Sequence, residues 1–245
     1  MRFTFNYLNY QSEFSRGAQV KKVFITGTDT AVGKTVVSLA LLQVALQQGK
    51  RCVGYKPVAK NALPTAEGMR NNDALLLQKA SSVGLAYEDI NPFPLSGDEI
   101  STSPGCRVDY EVLTAGLDNI SEQSDCVVVE GTGGWHCLMN NERPLSDWVV
   151  SQQLPVILVV GIKLGCINHA LLSAEAILND GVPLYGWVAN RINPGLAEYA
   201  SIIEVLKKQI GAPLLGEIPY LPRAEQRDLT KFLDLSRAEE AIFES

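Results

Sequence analysis

The chain has few residues of the kinds that form disulfides or bind transition metals. Its 245 residues include 5 cysteines and 2 histidines. The cysteines are Cys52, Cys106, Cys126, Cys137 and Cys166. Because their number is odd and no two have Cys-x-x-Cys spacing, they indicate a reducing compartment rather than a disulfide framework. No metal-ligand spacing surrounds His136 or His169, and we interpret both histidines as structural or peripheral.

Long apolar runs and an excess of positive charge are also absent. No stretch reaches the roughly 18 apolar residues that a membrane-spanning helix needs. Residues 1–19 lack the apolar segment of a signal peptide, and we expect them to form an extension before a domain of residues 20–245. With a net charge of −6 and a pI of about 5.1, the composition favours neither a nucleic acid nor an acidic membrane as partner. These features predict a cytoplasmic protein.

Short apolar runs alternate with helical patterns along the chain. The predicted strands span residues 20–26, 52–58, 126–130, 155–161, 184–190 and 213–218. The predicted helices span residues 35–50, 71–80, 109–121, 167–181 and 195–211. Several strands are apolar at consecutive positions, which is typical of strands buried on both faces of a parallel sheet. The alternation predicts a single α/β domain with a mostly parallel sheet and helices on both faces.

A phosphate-binding loop follows the first predicted strand. The sequence GTDTAVGKT spans Gly27 to Thr35 and has one residue more between its glycines than the pattern G-x-x-x-x-G-K-[ST]. It still joins a strand to a helix whose first amides can bind an anion. Lys34 can reach the β- and γ-phosphates of a nucleotide, and the Thr35 hydroxyl can bind Mg²⁺. We therefore predict a P-loop NTPase-like fold with a Mg²⁺-nucleotide site.

Six further segments extend the pattern along the chain. They are GYKPVA at 54–59, RNNDALLLQ at 70–78, VVVEGTGGW at 127–135, VGIKLGCINHA at 160–170, WVANR at 187–191 and LLGEIPYLPR at 214–223. Together with the phosphate loop, and in the same order, they closely resemble the dethiobiotin synthetases from about residue 20 to about residue 225. The switch ATPases of plasmid partition and cell division instead carry K-G-G-x-G-K-T, and Asp29 occupies the position of their first lysine.

The resemblance implies an ATP-dependent cyclo-ligase of biotin synthesis. Such enzymes close a cyclic urea on 7,8-diaminononanoate with CO₂ and ATP, through a carbamate that attacks the γ-phosphate. Two unit charges about 4 Å apart at an effective dielectric of about 20 repel each other by roughly 4 kcal/mol. Because carbamate and triphosphate are both anions, the site needs Mg²⁺ and lysines positioned before the reaction.

The resemblance also assigns roles to individual residues. The predicted catalytic residues are Thr30, Lys34 and Lys56, and the predicted Mg²⁺ ligands are Thr35, Asp73 and Glu130. The predicted ATP-binding residues are Ala31, Val32, Gly33, Lys34, Thr35, Val36, Asp73, Glu130, Gly131, Thr132, Gly133, Asn190, Arg191, Pro219, Tyr220 and Leu221. From the residues alone, Asp73 could equally be a residue that starts a helix, and Asn190 a residue that ends a strand.

The segment KLGCINHA resembles the part of the family that binds the carboxylate tail of the substrate and comes from a second subunit. The predicted substrate-binding residues are Lys60, Lys163, Gly165, Cys166, Ile167 and Asn168. A helix beginning near Ile167 would present free amides to a carboxylate, although a simple helix cap has the same sequence. The resemblance thus implies a homodimer whose active site lies at the subunit interface.

Three positions depart from the pattern of the family. Ala31 replaces a frequent acidic residue, Lys60 a serine and Arg191 a common aspartate, so that the pocket gains two positive charges and loses two negative ones. They are typical of a second-type, paralogue-like synthetase and leave two alternatives open. One is a synthetase with a different amine substrate, and the other is an ATP-binding switch or regulatory dimer without ring closure. An amidating synthetase of the cobalamin type is disfavoured because 245 residues leave no room for its glutaminase domain.

Overall fold

A computed structural model describes residues 21–97, 108–139 and 143–236. The elements follow one another in the order β1 (Lys21–Gly27), α1 (Lys34–Gln47), β2 (Cys52–Tyr55), β3 (Val58–Ala59), β4 (Leu63–Thr65), β5 (Gly68–Arg70), α2 (Asn72–Ala80), α3 (Tyr87–Ile90), β6 (Phe93–Pro94), α4 (Tyr110–Gln123), β7 (Cys126–Glu130), β8 (Leu138–Met139), β9 (Arg143–Pro144), α5 (Leu145–Ser151), β10 (Val156–Gly161), α6 (Cys166–Asn179), β11 (Leu184–Asn190), α7 (Tyr199–Gln209) and β12 (Leu214–Ile218). Two short 3₁₀ turns, Ala224–Gln226 and Thr230–Phe232, follow β12.

Six strands form one sheet in the order β12-β11-β10-β1-β7-β2. Every neighbouring pair in this sheet is parallel. All residues of β7 and β10 are buried, as their uninterrupted apolar sequences predict for strands covered on both faces. The parallel sheet expected from the sequence is therefore confirmed.

Helices cover both faces of this sheet. The connection from β1 to β2 through α1 crosses the sheet in one direction, and the connection from β10 to β11 through α6 crosses it in the other. Because such crossovers are right-handed, α1 lies on one face and α6 on the opposite face. Accordingly, α1 packs against α2 and the turn Thr230–Phe232, whereas α6 packs against α7. The predicted P-loop NTPase-like architecture is confirmed.

The carboxyl ends of all six strands lie along one edge of the sheet. This edge carries the segments that follow the strands, namely residues 28–33, 56–57, 131–137, 162–165, 191–198 and 219–223. The connections diverge between β1 and β10, which is where open α/β sheets bind their ligands. The phosphate loop follows one of these two strands and Lys163 the other.

The predicted strand at 52–58 is wrong in its last part. The structure ends β2 at Tyr55, and the Lys56 amide donates to the carbonyl of Ile90 instead of a strand neighbour. Pro57 has no amide hydrogen with which to continue a strand ladder. The next residues, Val58–Ala59, pair with Phe93–Pro94 in a separate two-stranded sheet.

The helix predicted from residue 195 begins instead at Tyr199. An Asn-Pro-Gly sequence precedes it, and the Asn193 side chain accepts a hydrogen bond from the Gly195 amide at 3.0 Å, which stabilises a turn. Helix α5 and the hairpins β4–β5 and β8–β9 were not predicted. They are short, and a short element gives too few periods for its apolar pattern to be recognised.

Two positions considered in the sequence analysis lie outside the described residues. They are the expected extension at residues 1–19 and the cysteine at position 106. Among the helices that the structure describes, none is long and apolar enough to cross a membrane.

Candidate active site

The phosphate loop runs from the end of β1 to the first turn of α1. Gly33 adopts φ 94° immediately before the helix, a left-handed conformation that glycine adopts without a steric penalty. The Lys34 Nζ donates to the carbonyl of Asp29 at 2.9 Å and to the carbonyl of Gly133 at 2.7 Å. The lysine side chain therefore crosses from its own loop to the loop that follows β7. Val36 lies in the same first turn of α1.

Burial changes the acidity of the loop lysine. The pKa of Lys34 is lowered to about 8, chiefly because burial penalises the ammonium and also because Lys56 repels it. Glu130, Cys137 and Asp73 act in the opposite direction. Lys34 therefore lies in a cluster of charges whose net effect still leaves it an ammonium at neutral pH.

Asn190 fixes the phosphate loop from the end of β11. Its Nδ2 donates to the carbonyl of Val32 at 2.8 Å, and a Cβ at Gly33 would lie 2.0 Å from that nitrogen. Val32 is itself buried against Gly27 and Gly161. The asparagine that the resemblance assigns to ATP binding thus contacts the backbone that would surround the phosphates.

A buried ion pair lies beneath the loop. Lys56 is 3% exposed and Glu130 is 0% exposed, and the Lys56 Nζ lies 2.5 Å from Glu130 Oε1. The Thr35 hydroxyl donates to the same Oε1 at 2.9 Å, and Asp73 Oδ2 lies 3.7 Å from the Lys56 Nζ. The structure therefore brings together the three predicted Mg²⁺ ligands and a predicted catalytic lysine.

The donor set fits Mg²⁺. The second carboxylate oxygen of Glu130, Oε2, is buried and receives no hydrogen bond from the residues that the structure describes. A hydroxyl and two carboxylates are hard oxygen ligands, and Mg²⁺ usually takes one or two carboxylates together with substrate phosphates. In the described part of the chain, no cluster of three or more His, Cys, Asp or Glu side chains offers an alternative metal site.

Lys163 lies beside the phosphate loop of its own chain. Its Nζ donates to Asp29 Oδ2 at 2.8 Å, which joins the loop after β10 to the loop after β1. This hydrogen bond is the main reason why the pKa of the Asp29 carboxyl is lowered. Asp29 thus binds an ammonium at the position where the switch ATPases carry a lysine.

Lys60 and Cys137 meet at the rim of the site. The Lys60 Nζ donates to Cys137 Sγ at 3.2 Å, and a Cβ at Gly133 would lie 2.7 Å from the same sulfur. Since the carbonyl of Gly133 accepts from Lys34, the cation at position 60 lies close to the loop that Lys34 contacts. The thiol at position 137 was not among the predicted site residues.

The remaining predicted residues lie at the periphery. Thr30 and Ala31 are exposed at the top of the phosphate loop, and Ala31 adopts φ 57°. Arg191 stacks its guanidinium over the ring of Tyr199, 4.9 Å from the ring centre, and donates to the carbonyl of Pro194 at 2.9 Å. The segments 131–133, 165–168 and 219–221 also lie at or next to the carboxyl edge of the sheet.

Sequence reasoning missed a group of polar residues behind Lys56. Asn91 donates to the carbonyl of Lys56 at 2.7 Å, and the hydroxyl of Tyr87 donates to Asn91 Oδ1 at 2.8 Å. Both residues are buried. The one signal in the sequence was the dipeptide Asn91-Pro92, which favours a turn but gives no indication of its partner.

Comparison with known proteins identifies the family. A family model described as an AAA domain matches residues 21–227. The ATP-dependent dethiobiotin synthetase BioD 2 of Salmonella typhimurium is 63% identical over 89% of this chain and 94% of its own. The corresponding BioD 2 of Escherichia coli K12 is 62% identical over the same shares. This chain belongs to the dethiobiotin synthetase family. A further synthetase, BioD of Vibrio campbellii, is 53% identical over 86% of this chain and 95% of its own.

Solved structures support the fold of this synthetase-family chain. The cell division protein MinD of Aquifex aeolicus superimposes with a TM-score of 0.54 at 17% identity, over 91% of this chain and 94% of that one. The ParA family ATPase of Chlorobium tepidum gives a TM-score of 0.53 at 13% identity, over 93% and 96% of the two chains. At such identities the likeness shows the P-loop fold alone.

Gly33→Ala should weaken nucleotide binding. Its methyl group would collide with Asn190 Nδ2 and would require a left-handed alanine, so that the loop must move. We expect ATP affinity, measured by calorimetry, to fall by about tenfold or more, because the backbone amides of the displaced loop no longer face the phosphates.

Gly49→Ala is the matched control. Gly49 has φ 72° at the other end of α1, with nothing within 4 Å of an added Cβ. It carries a similar backbone penalty, about 1–2 kcal/mol, but should bind ATP like the unmodified protein. Equal ATP affinities for the two variants would contradict the role of Gly33 and Asn190.

Proposed function

We propose that the chain makes dethiobiotin from 7,8-diaminononanoate, CO₂ and ATP, with release of ADP and phosphate. One amine of the substrate takes up CO₂ as a carbamate, and a carbamate oxygen attacks the γ-phosphorus and releases ADP. The second amine then attacks the carbonyl carbon and displaces phosphate, which closes the ring. The relatives at 62–63% identity carry the name of this ATP-dependent synthetase.

The observation that carries the proposal is the convergence of two buried lysines on one loop. The Lys34 Nζ lies 2.7 Å from the carbonyl of Gly133, and the Lys56 Nζ lies 3.1 Å from the carbonyl of Gly131. Two ammonium groups that approach a short glycine-rich segment, one from the start of α1 and one from the residue after β2, can stabilise two adjacent anions. This is what an attack of a carbamate on a triphosphate requires, since catalysis of phosphoryl transfer is chiefly positioning and charge stabilisation.

Thr35, Glu130 and Asp73 would hold Mg²⁺ in the proposed site. When bound, the ion would neutralise the charge that develops on the β- and γ-phosphate oxygens. Glu130 serves two cations in this arrangement, because its Oε1 binds the Lys56 ammonium while its Oε2 is free for the metal. Thr30, at the exposed top of the phosphate loop, would contact the carbamate.

In a homodimer, the start of α6 of one subunit would bind the carboxylate tail of the diamine that reacts in the other subunit. The helix begins at Cys166 after Gly165, and the first amides of any helix have no intrahelical partners. The Cys166 amide donates to the carbonyl of Lys163 at 3.1 Å, so the amides that follow it would bind the carboxylate. Leu164 is 87% exposed just before this helix, and a homodimer formed through this segment would bury it. Lys163 would complete the site from its position beside Asp29.

Dilution tests the shared site. If the homodimer contributes the substrate site, activity and the sedimentation coefficient should fall together as the dimer dissociates, and a fully active monomer would contradict the shared site.

Lys60 favours one alternative, a synthetase with a different amine substrate. It adds a cation close to the glycine-rich loop, 3.2 Å from Cys137 Sγ, where the family more often has a neutral side chain. A substrate with an additional anionic group would be stabilised there. The regulatory-switch alternative has less support, because the position of the switch lysine is occupied by Asp29, which binds Lys163.

We also infer a reducing, cytoplasmic location and a synthetase domain that starts near residue 20. Four cysteines in the described part of the chain are free, as expected where thiols stay reduced. The family model begins at residue 21, which supports a domain that starts near this position.

The direct test is a product analysis. The purified protein is incubated with ATP, Mg²⁺, bicarbonate and 7,8-diaminononanoate, and the products are identified by mass. We expect dethiobiotin and ADP in equal amounts, with ATP turnover dependent on both diamine and bicarbonate. ATP turnover independent of the diamine would favour the switch, and turnover with another diamine alone would favour the altered substrate.

Lys56→Gln should lower kcat strongly while leaving ATP affinity within about tenfold, because the ammonium acts chiefly in the transition state. Glutamine retains a hydrogen-bond donor for Glu130 but removes its charge partner, so the melting temperature should fall and is measured beside kcat. Lys22→Gln is a control at the opposite edge of the sheet, where Lys22 pairs with Asp118. An unchanged kcat in Lys56→Gln would remove Lys56 from the catalytic residues.

Glu130→Gln should raise the Mg²⁺ concentration needed for half-maximal activity by about tenfold or more, because a neutral amide is a poorer Mg²⁺ ligand than a carboxylate. The measurement is a Mg²⁺ titration at saturating ATP, with Glu217→Gln at the exposed side of β12 as control. If both variants need the same Mg²⁺ concentration, Glu130 is not a ligand.

A further inference from the structure

The backbone that carries Lys56 is held by a segment outside the main sheet. At Lys56 the pairing of β2 has ended. Its amide donates to the carbonyl of Ile90 at 2.8 Å, and its carbonyl accepts from Asn91 Nδ2 at 2.7 Å. Both polar backbone groups of the lysine are therefore satisfied by residues 90–91, and the position of that segment determines the position of the ammonium.

A buried chain of hydrogen bonds continues from this segment. The Tyr87 hydroxyl donates to Asn91 Oδ1 at 2.8 Å and accepts from the amide of Asn71 at 2.8 Å. Asn71 in turn donates from Nδ2 to the carbonyl of Lys60 at 2.8 Å. The chain thus runs from Lys60 through Asn71, Tyr87 and Asn91 to Lys56, and each side-chain amide uses its donor and its acceptor.

The same chain fixes the start of α2. Asn71 caps this helix, because its Oδ1 accepts from the amide of Ala74 at 3.1 Å. Asp73 lies in the first turn of that helix, and its Oδ2 is 3.7 Å from the Lys56 Nζ. A proposed Mg²⁺ ligand and a proposed catalytic lysine, on different elements, therefore share one set of hydrogen bonds.

Burial makes the chain rigid. Asn91 is 1% exposed and Tyr87 is 5% exposed, and the guanidinium of Arg70 lies 4.2 Å from the centre of the Tyr87 ring. Burial is also the main cause of the raised pKa of Tyr87, so its hydroxyl stays a donor throughout the neutral range. Buried, fully satisfied polar networks hold one arrangement, because every alternative leaves a polar group unpaired.

We propose that Asn71, Tyr87 and Asn91 are positioning residues, whose hydrogen-bonded chain sets Lys56, Lys60 and Asp73 in register around the reacting phosphate and carbamate. This inference rests on the proposed synthetase reaction. The three residues act only through others, since their polar atoms bind backbone groups and one another. A displacement of about 1 Å in a group that aligns reactants can cost on the order of a hundredfold in rate.

Tyr87→Phe tests the proposal by removing one oxygen atom from the middle of the chain. We expect kcat to fall by about tenfold or more, while the KM for ATP changes by less than about threefold, because alignment in the transition state is lost and nucleotide binding is not. Tyr55→Phe is the matched control. Tyr55 is equally buried and directly precedes Lys56, but its hydroxyl donates away from the site, to the carbonyl of Leu113 at 3.1 Å. The control loses one buried hydrogen bond where Tyr87→Phe loses two, so it should lose some thermal stability but keep kcat within about twofold.

A double-mutant cycle separates positioning from general destabilisation. If Tyr87 acts through Asn91, then Asn91→Ala and the double variant Tyr87→Phe/Asn91→Ala should have kcat values within about twofold of each other. Independent, multiplicative losses would show that the two residues do not form one chain. A kcat in Tyr87→Phe within about twofold of the unmodified protein would overturn the proposal.

A second readout does not depend on the reaction. Lys56 is buried, so an amine-acylating reagent should modify it slowly, and mass spectrometry reports its rate beside that of Lys50, which is only partly buried. We expect Tyr87→Phe to accelerate acylation of Lys56 by about tenfold, Tyr55→Phe to leave it unchanged, and Lys50 to react alike in all variants. An unchanged Lys56 rate in Tyr87→Phe would overturn the proposal even for a protein that makes no dethiobiotin. Absence of product with the unmodified protein would count against the proposed function alone.

Discussion

The site depends on the buried ion pair between Lys56 and Glu130. Taking two charges out of water is costly, and removing one partner of such a pair typically costs about 3–5 kcal/mol, because the other charge stays buried and unpaired. Here the pair lies under the phosphate loop, with Thr35 bound to the same carboxylate oxygen. An apolar pair would suit the end of a buried sheet better for stability alone. Its presence is explained by what it supplies, an ammonium and a carboxylate held in place beside phosphate-binding amides.

The topology of the sheet makes this arrangement possible. Lys56, Glu130 and Asn190 are far apart in the sequence but follow or end three parallel strands at one edge. Each strand fixes the height of its last residue relative to its neighbours, and the interstrand spacing fixes the lateral distance. The glycines at 33, 131 and 133 then let the backbone approach where side chains would collide, as Gly33 does against Asn190. The rigid sheet sets the positions, and the loops supply the chemistry.

Much of the fold and of the phosphate site could be predicted from the sequence, because the signals are local. Strands β7 and β10 are recognised by their apolar runs. The phosphate loop is recognised by its glycines and its Gly-Lys-Thr sequence between a strand and a helix. The positions where prediction failed depend on contacts between distant segments. Strand β2 ends before the predicted residue 58, because the backbone of Lys56 forms hydrogen bonds with residues 90–91 and not with a neighbouring strand. No local pattern indicates that Lys163 binds Asp29. Nor does any indicate that Tyr87, in a one-turn helix, positions Lys56, which precedes it by 31 positions along the chain.

The three residues that depart from the family pattern have different surroundings in the structure. Ala31 is exposed on the phosphate loop, Arg191 is stacked on Tyr199, and Lys60 contacts Cys137. Only the last of these lies next to the buried cluster of charges. Substrate specificity is therefore expected to depend on Lys60 more than on the other two positions.

The most direct measurement is a crystal structure with Mg²⁺, a non-hydrolysable ATP analogue and the carboxylated diamine. We expect the Lys56 ammonium to lie within about 3 Å of both a terminal phosphoryl oxygen and the carbamate, with Thr35 and Glu130 on the metal side of the phosphates. A Lys56 ammonium turned away from the terminal phosphoryl group, with no space beside it for a carboxylated amine, would contradict the account.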